Sequence, residues 1–155
     1  MSGDHRPRFG LDTNVLVYAV DKDAGAKSDR AELIIRQAIR TRRCVLSLQN
    51  VGEFYNAVTR KRLTSVADAA RRAARYTQLF PLVEARADDA RQALGEAAAG
   101  RYSYWDALLL ATLSRAGCSI LLGEDMQDGA RFGPLTIRNP FADDNLPDDI
   151  AALLS

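Results

Sequence analysis

One stretch decides how this chain is expected to fold: FGLDTNVLVYA, residues 9–19. A short apolar run, 9–11, is followed by three polar residues, the first of which is Asp12, and then by a second apolar run. The first run is typical of a short buried strand, and the spacing of the second is typical of a helix. The stretch therefore predicts a strand, a carboxylate at its carboxyl end, and a helix.

The rest of the chain repeats this alternation. Further short apolar runs predict strands at 45–48, 120–122 and 135–137. Apolar residues recur at helical spacing in five segments: 33–38, 51–58, 66–73, 90–97 and 108–112. Strands that alternate with helices indicate a parallel sheet covered by helices, and no two candidate strands are joined by an Asn-Gly hairpin turn. We predict a three-layer α/β domain whose short central parallel sheet has four to five strands flanked by helices.

Length and composition limit the classes of protein further. The 155 residues predict a single domain, 1–155, with a core at about 8–141, a short N-terminal arm and an acidic C-terminal tail. The content of 47% hydrophobic and 26% charged residues excludes a disordered chain, and no apolar stretch suits a membrane helix. Cys44 and Cys118 are too few for a disulfide framework, and the first ten residues lack a secretion signal. We expect a cytoplasmic protein.

Two aspartates stand where strands are predicted to end. Asp12 follows the run 9–11, and Asp125 comes just after the run 120–122. Ligands of parallel α/β sheets bind outside the carboxyl ends of the strands, so these two side chains are expected to face one crevice. The alternative is that each is a turn or cap residue, which is the commoner role for either one alone.

Two further acids follow helix-capping residues. Three pairs match the capping box: Asn50 with Glu53, Ser103 with Asp106, and Ser65 with Asp68. Capping alone explains Asp68. Glu53 and Asp106 differ because apolar and aromatic residues surround them in the sequence, and charged groups in such surroundings need partners.

A shared cation would be a partner for all four acids. Carboxylates that meet in one pocket repel one another unless a cation neutralises them. The only histidine is His5, close to the start of the chain, so the available ligands are oxygens, which favours Mg²⁺ or Mn²⁺. Hydrolysis of a phosphodiester by a metal-activated water is the natural chemistry of such a site, and it needs no side-chain nucleophile.

Four motifs in order resemble one family. They are LDTNVLVYA (11–19), VGEFYNA (51–57), YSYWDALLLA (102–111) and LLGEDMQDG (121–129), with a closing IRNPF (137–141). Together they strongly resemble the PIN-domain family, and within it the VapC-type toxins of bacterial toxin–antitoxin pairs. The resemblance covers about residues 8–141.

The resemblance implies both the fold and the site. It implies a PIN-like fold in which Asp12, Glu53, Asp106 and Asp125 are the catalytic residues and bind Mg²⁺ or Mn²⁺, and it implies cleavage of single-stranded RNA. Asp128 is expected as an outer-shell or alternative fourth ligand. The chain departs from the family where many members have a small hydroxyl residue in place of Gly123, and Asp-Phe in place of Asp128-Gly129.

The charges are distributed unevenly. Residues 36–75 carry ten basic side chains against two acidic ones, whereas residues 121–155 carry two against seven, although the whole chain has a net charge of +1. A basic half next to a metal site suits an RNA substrate, and solvated helix faces are the alternative. Three aromatic residues near Asp106 are candidates for base stacking, but core packing is favoured for them: Tyr102, Tyr104 and Trp105.

The expected partners follow from the resemblance. A VapB-type antitoxin is expected to cover the site, and the Ala-rich helices at 66–76 and 88–99 offer apolar surface for that antitoxin or for a homodimer. No membrane partner is expected.

There are three alternatives to a ribonuclease. A haloacid-dehalogenase-like hydrolase needs a second aspartate where this chain has Asn14, and a receiver domain needs a lysine late in the chain, whereas the last one here is Lys61. A catalytically weak PIN-fold module that binds RNA or a partner stays open, because Gly123 departs from the family pattern.

Overall fold

The structure is a computed structural model that describes residues 5–155. Within this range it has seven α-helices, six strands and a 3₁₀ turn at Lys22–Ala24. The strands are β1 (Arg8–Leu11), β2 (Cys44–Ser47), β3 (Leu82–Val83), β4 (Cys118–Leu122), β5 (Arg131–Phe132) and β6 (Leu135–Arg138). The helices are α1 (Thr13–Val20), α2 (Ala26–Thr41), α3 (Leu48–Arg60), α4 (Val66–Leu79), α5 (Ala87–Ala98), α6 (Tyr104–Arg115) and α7 (Asp148–Leu153).

The sheet has the order β3-β2-β1-β4-β6-β5, and over the described residues only β5 and β6 pair antiparallel. The predicted three-layer α/β class is confirmed, and all four predicted strands are present. The sheet has six strands rather than four to five because β3 and β5 have two residues each, too few for a visible pattern. The turn Gly133-Pro134 joins β5 to β6 as a hairpin; it is not of the Asn-Gly type, and β5 is not among the strands that the sequence predicts.

Alternate strand residues pack on opposite faces of the sheet, as the pleat of a strand requires. Leu11 and Leu46 belong to the core cluster on one face, whereas Val45 and Leu121 belong to the cluster on the other. Gly10 permits close packing on this second face, since a Cβ atom there would lie 2.7 Å from Cδ1 of Leu113 in α6. Helices therefore cover both faces, which leaves the ends of the strands open for a site.

The end of the C-terminal segment packs on the core, beyond an acidic stretch, 142–149, that is mostly exposed. Ile150 and Leu153 in α7 are buried in the first core cluster. The guanidinium group of Arg43 is buried and donates hydrogen bonds to the carbonyl oxygens of Pro7 (2.7 Å) and Leu153 (2.6 Å). Arg43, which the sequence counts in its basic half, therefore holds the two ends of the domain together.

Three further observations concern the start of the chain, the cysteines and the lengths of the helices. Residues 1–4 of the expected N-terminal arm lie outside the described residues, and His5 is exposed. Cys44 and Cys118 are buried free thiols. No helix in residues 5–155 is both long enough and apolar enough to span a bilayer.

Candidate functional site

A cavity of about 440 Å³ opens where the neighbouring strands β1 and β4 end. Its walls include Asp12, Glu53, Asp106 and Asp125, four of the five acids that the sequence singles out. These residues come from four separate segments of the chain, and we call this space the carboxylate cavity.

Asp12 lies deepest of the four acids and is only 8% exposed. It caps α1, and its Oδ1 accepts a hydrogen bond from the backbone N–H of Thr13 at 2.7 Å. Its own backbone N–H donates to the carbonyl oxygen of Leu122 at the end of β4 (2.9 Å). Gly123 makes room for it, since a Cβ atom at this position would lie 2.8 Å from the Cβ atom of Asp12.

The capping role predicted for Asn50 is wrong, because α3 begins earlier. Ser47 is its N-cap, and the Ser47 hydroxyl accepts from the N–H of Gln49 at 3.2 Å. Asn50 lies inside the helix, fully buried, and its Nδ2 donates to the carbonyl oxygen of Leu11 at 2.6 Å. A buried polar group needs such a partner, and this bond fixes α3 against the end of β1.

Glu53 is held from two sides, one turn after Asn50. Its Oε2 accepts from the Thr13 hydroxyl at 2.8 Å, and its Oε1 accepts from Nε2 of Gln49 at 2.8 Å. The carboxylate is exposed and points along the cavity wall rather than back to a cap. The sequence did not predict that Thr13, Gln49 and Asn50 support the site. The one feature that could have indicated it is a polar residue, Asn50, on an otherwise apolar face of α3.

Asp106 follows the predicted start of α6. Ser103 caps the helix and its hydroxyl accepts from the Asp106 N–H at 3.2 Å, while the half-buried Asp106 side chain lines the cavity. The same cap occurs at α4, where the Ser65 hydroxyl accepts from the Asp68 N–H at 3.1 Å. Capping is therefore confirmed for both serines, and of these two helix starts only that of α6 opens onto the carboxylate cavity.

Asp125 is exposed on the loop after β4, next to a residue that anchors the loop. Oε1 of Glu124 accepts hydrogen bonds from Nζ of Lys27 (2.9 Å) and from the Tyr18 hydroxyl (3.1 Å). Tyr18 also lines the cavity, so this loop is tied to α1 and α2 beside the site. The sequence did not indicate this anchor, because its members lie about a hundred residues apart.

The structure does not bring Asp128 to the carboxylate cavity. Its Oδ1 accepts from Nη1 of Arg138 at 2.7 Å and from the Asn139 N–H at 2.9 Å, and Arg138 also pairs with Asp149. These contacts hold the turn between β4 and β5 against the end of β6.

The four acids influence one another electrostatically. Burial is the largest cause that raises the pKa of Asp12, from 3.8 to about 7. The nearby carboxylates of Asp125, Asp106 and Glu53 raise it further, and the hydrogen bond from the Thr13 N–H opposes the shift. A cation in the cavity would favour the ionised form of all four.

The donor set suits a hard divalent cation. All four side chains offer carboxylate oxygens, the ligands that Mg²⁺ and Mn²⁺ prefer. Asn14 also lines the cavity, and its side-chain amide atoms are buried without a hydrogen-bond partner in the described part of the chain. Among residues 5–155 no three His, Cys, Asp or Glu side chains lie close enough together to hold a metal ion. Ion binding therefore requires the carboxylates to draw together.

Two observations concern the residues around the carboxylate cavity. Trp105 is 61% exposed, so core packing was the wrong prediction for it; its ring contacts Tyr104 edge-on, with the centroids 4.9 Å apart. Of the ten basic residues in the segment 36–75, Arg60 and Lys61 border the carboxylate cavity.

A parallel α/β sheet with acids gathered beyond neighbouring strand ends is the arrangement expected of a PIN domain. The PIN-domain profile matches residues 10–130. The chain therefore belongs to the PIN-domain family. A search of curated protein sequences gives no match.

Three solved structures are similar to the chain. VapC20 of Mycobacterium tuberculosis, described as a Sarcin-Ricin loop cleaving toxin, has 20% identity and a TM-score of 0.57, over 73% of this chain and 86% of that one. VapBC2 of Rickettsia felis, bound to a promoter DNA fragment, has 15% identity and a TM-score of 0.59, over 84% and 97%. A toxin–antitoxin complex of Klebsiella pneumoniae has 18% identity and a TM-score of 0.56, over 82% and 94%. At these identities the likeness shows the fold.

Proposed function

We propose that the chain is the toxin of a VapBC-type pair, an endoribonuclease that cuts single-stranded RNA with Mg²⁺ or Mn²⁺. The observation that carries this proposal is the convergence of Asp12, Glu53, Asp106 and Asp125 on one cavity of a PIN fold. The similarity to VapC20, which is described as a Sarcin-Ricin loop cleaving toxin, supports the same reaction.

The four carboxylates are the proposed ligands, and Asp128 is proposed only as an outer-shell residue. When bound, the ion supplies activation of a water molecule and neutralises charge at the phosphate. The protein residues position the ligands: the Thr13 hydroxyl and the Gln49 amide hold the two oxygens of Glu53, and the Thr13 N–H holds Asp12. These bonds orient the ligands before substrate arrives, as groups around a metal site commonly do.

The rim of the cavity suits a phosphodiester. Arg60 and Lys61 lie at the end of α3 on the same cavity wall as Glu53 and are exposed. Cations there offset the repulsion between the acids and a polyanion, and they attract RNA in a salt-dependent manner. Arginine also offers two parallel hydrogen bonds to a phosphate group.

An antitoxin is the proposed protein partner, in the bacterial cytoplasm. Two of the three similar structures are toxin–antitoxin complexes or carry a VapBC name, which supports this partner. Val66 on α4 and Leu94 on α5 are 62% and 59% exposed, and they offer apolar contact to an antitoxin or a second copy of the chain. Residues 1–155 are proposed to act as one domain.

A cleavage assay tests the proposed activity. The purified chain is incubated with an unstructured RNA, and separately with the same RNA in a duplex, in Mg²⁺, Mn²⁺ or excess EDTA. We expect cutting of the single strand with either ion and none in EDTA. RNA binding without cutting in any ion would instead favour the catalytically weak binding module, and equal cutting in EDTA would exclude the metal-dependent reaction.

A further inference from the structure

A second cavity, of about 640 Å³, adjoins the carboxylate cavity, and Asp106 belongs to the walls of both. We call it the side cavity. It lies between the end of α5, the start of α6 and the loop that leads from β4 to β5. Asp12, Glu53 and Asp125 do not line it, so Asp106 is the one proposed metal ligand that it shares with the carboxylate cavity. Its volume is within the range of roughly 300–1,000 Å³ usual for small-ligand sites.

The walls of the side cavity combine an apolar floor with polar groups around it. Tyr102 is half-buried and its ring packs edge-on against Phe132, with the centroids 5.9 Å apart, and Met126 is buried beside them. Gln92 and Gln127 are exposed, and each offers an amide with both donors and an acceptor. A flat ring with hydrogen-bonding edges, such as an unpaired nucleobase, matches these walls.

The charge on the rim suits a nucleotide as well. Arg131 borders the side cavity, is exposed, and forms no salt bridge with any residue of the described chain. Arg101 is already paired with Glu96, with 2.6 Å between Nε and Oε2, so it is less available to a ligand. A free guanidinium group at the mouth can contact the phosphate that follows a bound base.

We propose that the side cavity binds one unpaired base of the RNA, adjacent to the phosphate held in the carboxylate cavity, and so determines base preference at that position. The proposal rests on the proposed ribonuclease function. The two cavities share the Asp106 wall, so a base and its neighbouring phosphate can occupy them together. Gln92 and Gln127 read the base edge, while Arg60 on the other cavity contacts only the backbone.

The test compares base-contacting and phosphate-contacting variants. Wild type, the double variant Gln92→Ala/Gln127→Ala, and Arg60→Ala cut an RNA pool with randomised bases in an unstructured context, in Mn²⁺, and the cut sites are sequenced. We expect the base preference of the double variant, at one position beside the cut, to be about tenfold weaker than that of wild type. Arg60→Ala should slow cutting of all sequences and leave the preference intact, as expected of a phosphate contact.

Two outcomes overturn the inference: wild type with no base preference beside the cut, or a double variant with the wild-type preference. A binding measurement separates this inference from the proposed function. Fluorescence anisotropy with the same RNAs, in an Asp12→Asn background in which cutting is not expected, should show base-dependent affinity that the double variant loses. If wild type does not cut but this difference persists, the nuclease proposal fails and the base site stands; if the affinities are equal, the base site fails.

Discussion

Asp106→Asn is expected to slow RNA cleavage by about 10³-fold or more. The asparagine keeps the shape of the side chain and the backbone N–H that Ser103 accepts, so the start of α6 is preserved. It removes one negative charge from the carboxylate cavity and one strong oxygen ligand. A bound ion contributes several kcal/mol to the transition state, and each 1.36 kcal/mol lost is a factor of ten in rate. Cleavage of a fluorescent single-stranded RNA in Mn²⁺ measures the effect.

The chain provides a matched control at α4. Asp68 occupies the same position after a capping serine as Asp106 does, and it does not line the carboxylate cavity. Asp68→Asn should therefore retain cleavage within about twofold, with the same thermal stability as Asp106→Asn within a few degrees. Similar losses in both variants would mean that the acids act through helix capping, and full activity of Asp106→Asn would exclude it as a ligand.

Asp12→Asn is expected to stabilise the metal-free protein at pH 8 while it abolishes cleavage. Burial and nearby carboxylates raise the pKa of Asp12 from 3.8 to about 7. The folded state then binds the proton more tightly than the unfolded state, so stability falls as pH rises from about 4 to about 7 and stays lower above that. At 1.36 kcal/mol for each pKa unit, the penalty removed by asparagine is at most about 4 kcal/mol.

Urea unfolding in EDTA at pH 4 and pH 8 measures this effect as the difference between Asp12→Asn and wild type. The difference should be small at pH 4, where the Asp12 carboxyl group is protonated, and should favour the variant at pH 8. Asparagine can still accept the Thr13 N–H, so the cap of α1 is kept. A variant that is less stable than wild type at pH 8, or a stability difference independent of pH, would contradict the view that ionisation of Asp12 destabilises the metal-free protein.

The sequence predicted the parts of the fold that have a pattern. Strands such as β4 were found because a run of buried residues on both faces is continuously apolar. The strands β3 and β5 were missed because two residues cannot show a period. The anchor of the C-terminal segment was not predicted because Arg43 appeared in the sequence as one more basic residue, and only the fold brings it to the carbonyl oxygen of Leu153.

The candidate site was predictable in its acids but not in their supports. Asp12 and Asp125 stand out because acids that directly follow parallel strands lie at the carboxyl end of the sheet, where ligands bind. Asn50 was taken for a cap because the sequence does not show that α3 begins at Leu48, directly after the last residue of β2. Trp105 was expected in the core from its residue type, yet the start of α6 leaves it exposed. Contacts between distant segments decide such cases, and a local pattern does not contain them.

Carboxylates from four segments of the chain are proposed to hold a divalent cation at the end of the sheet. Anomalous diffraction from crystals grown with Mn²⁺ tests this cation site most directly. We predict an anomalous peak in the carboxylate cavity, in contact with Asp12 and Asp106, that is absent in crystals of Asp106→Asn. No peak in this cavity at saturating Mn²⁺, or a peak at Asp128 instead, would contradict the claim.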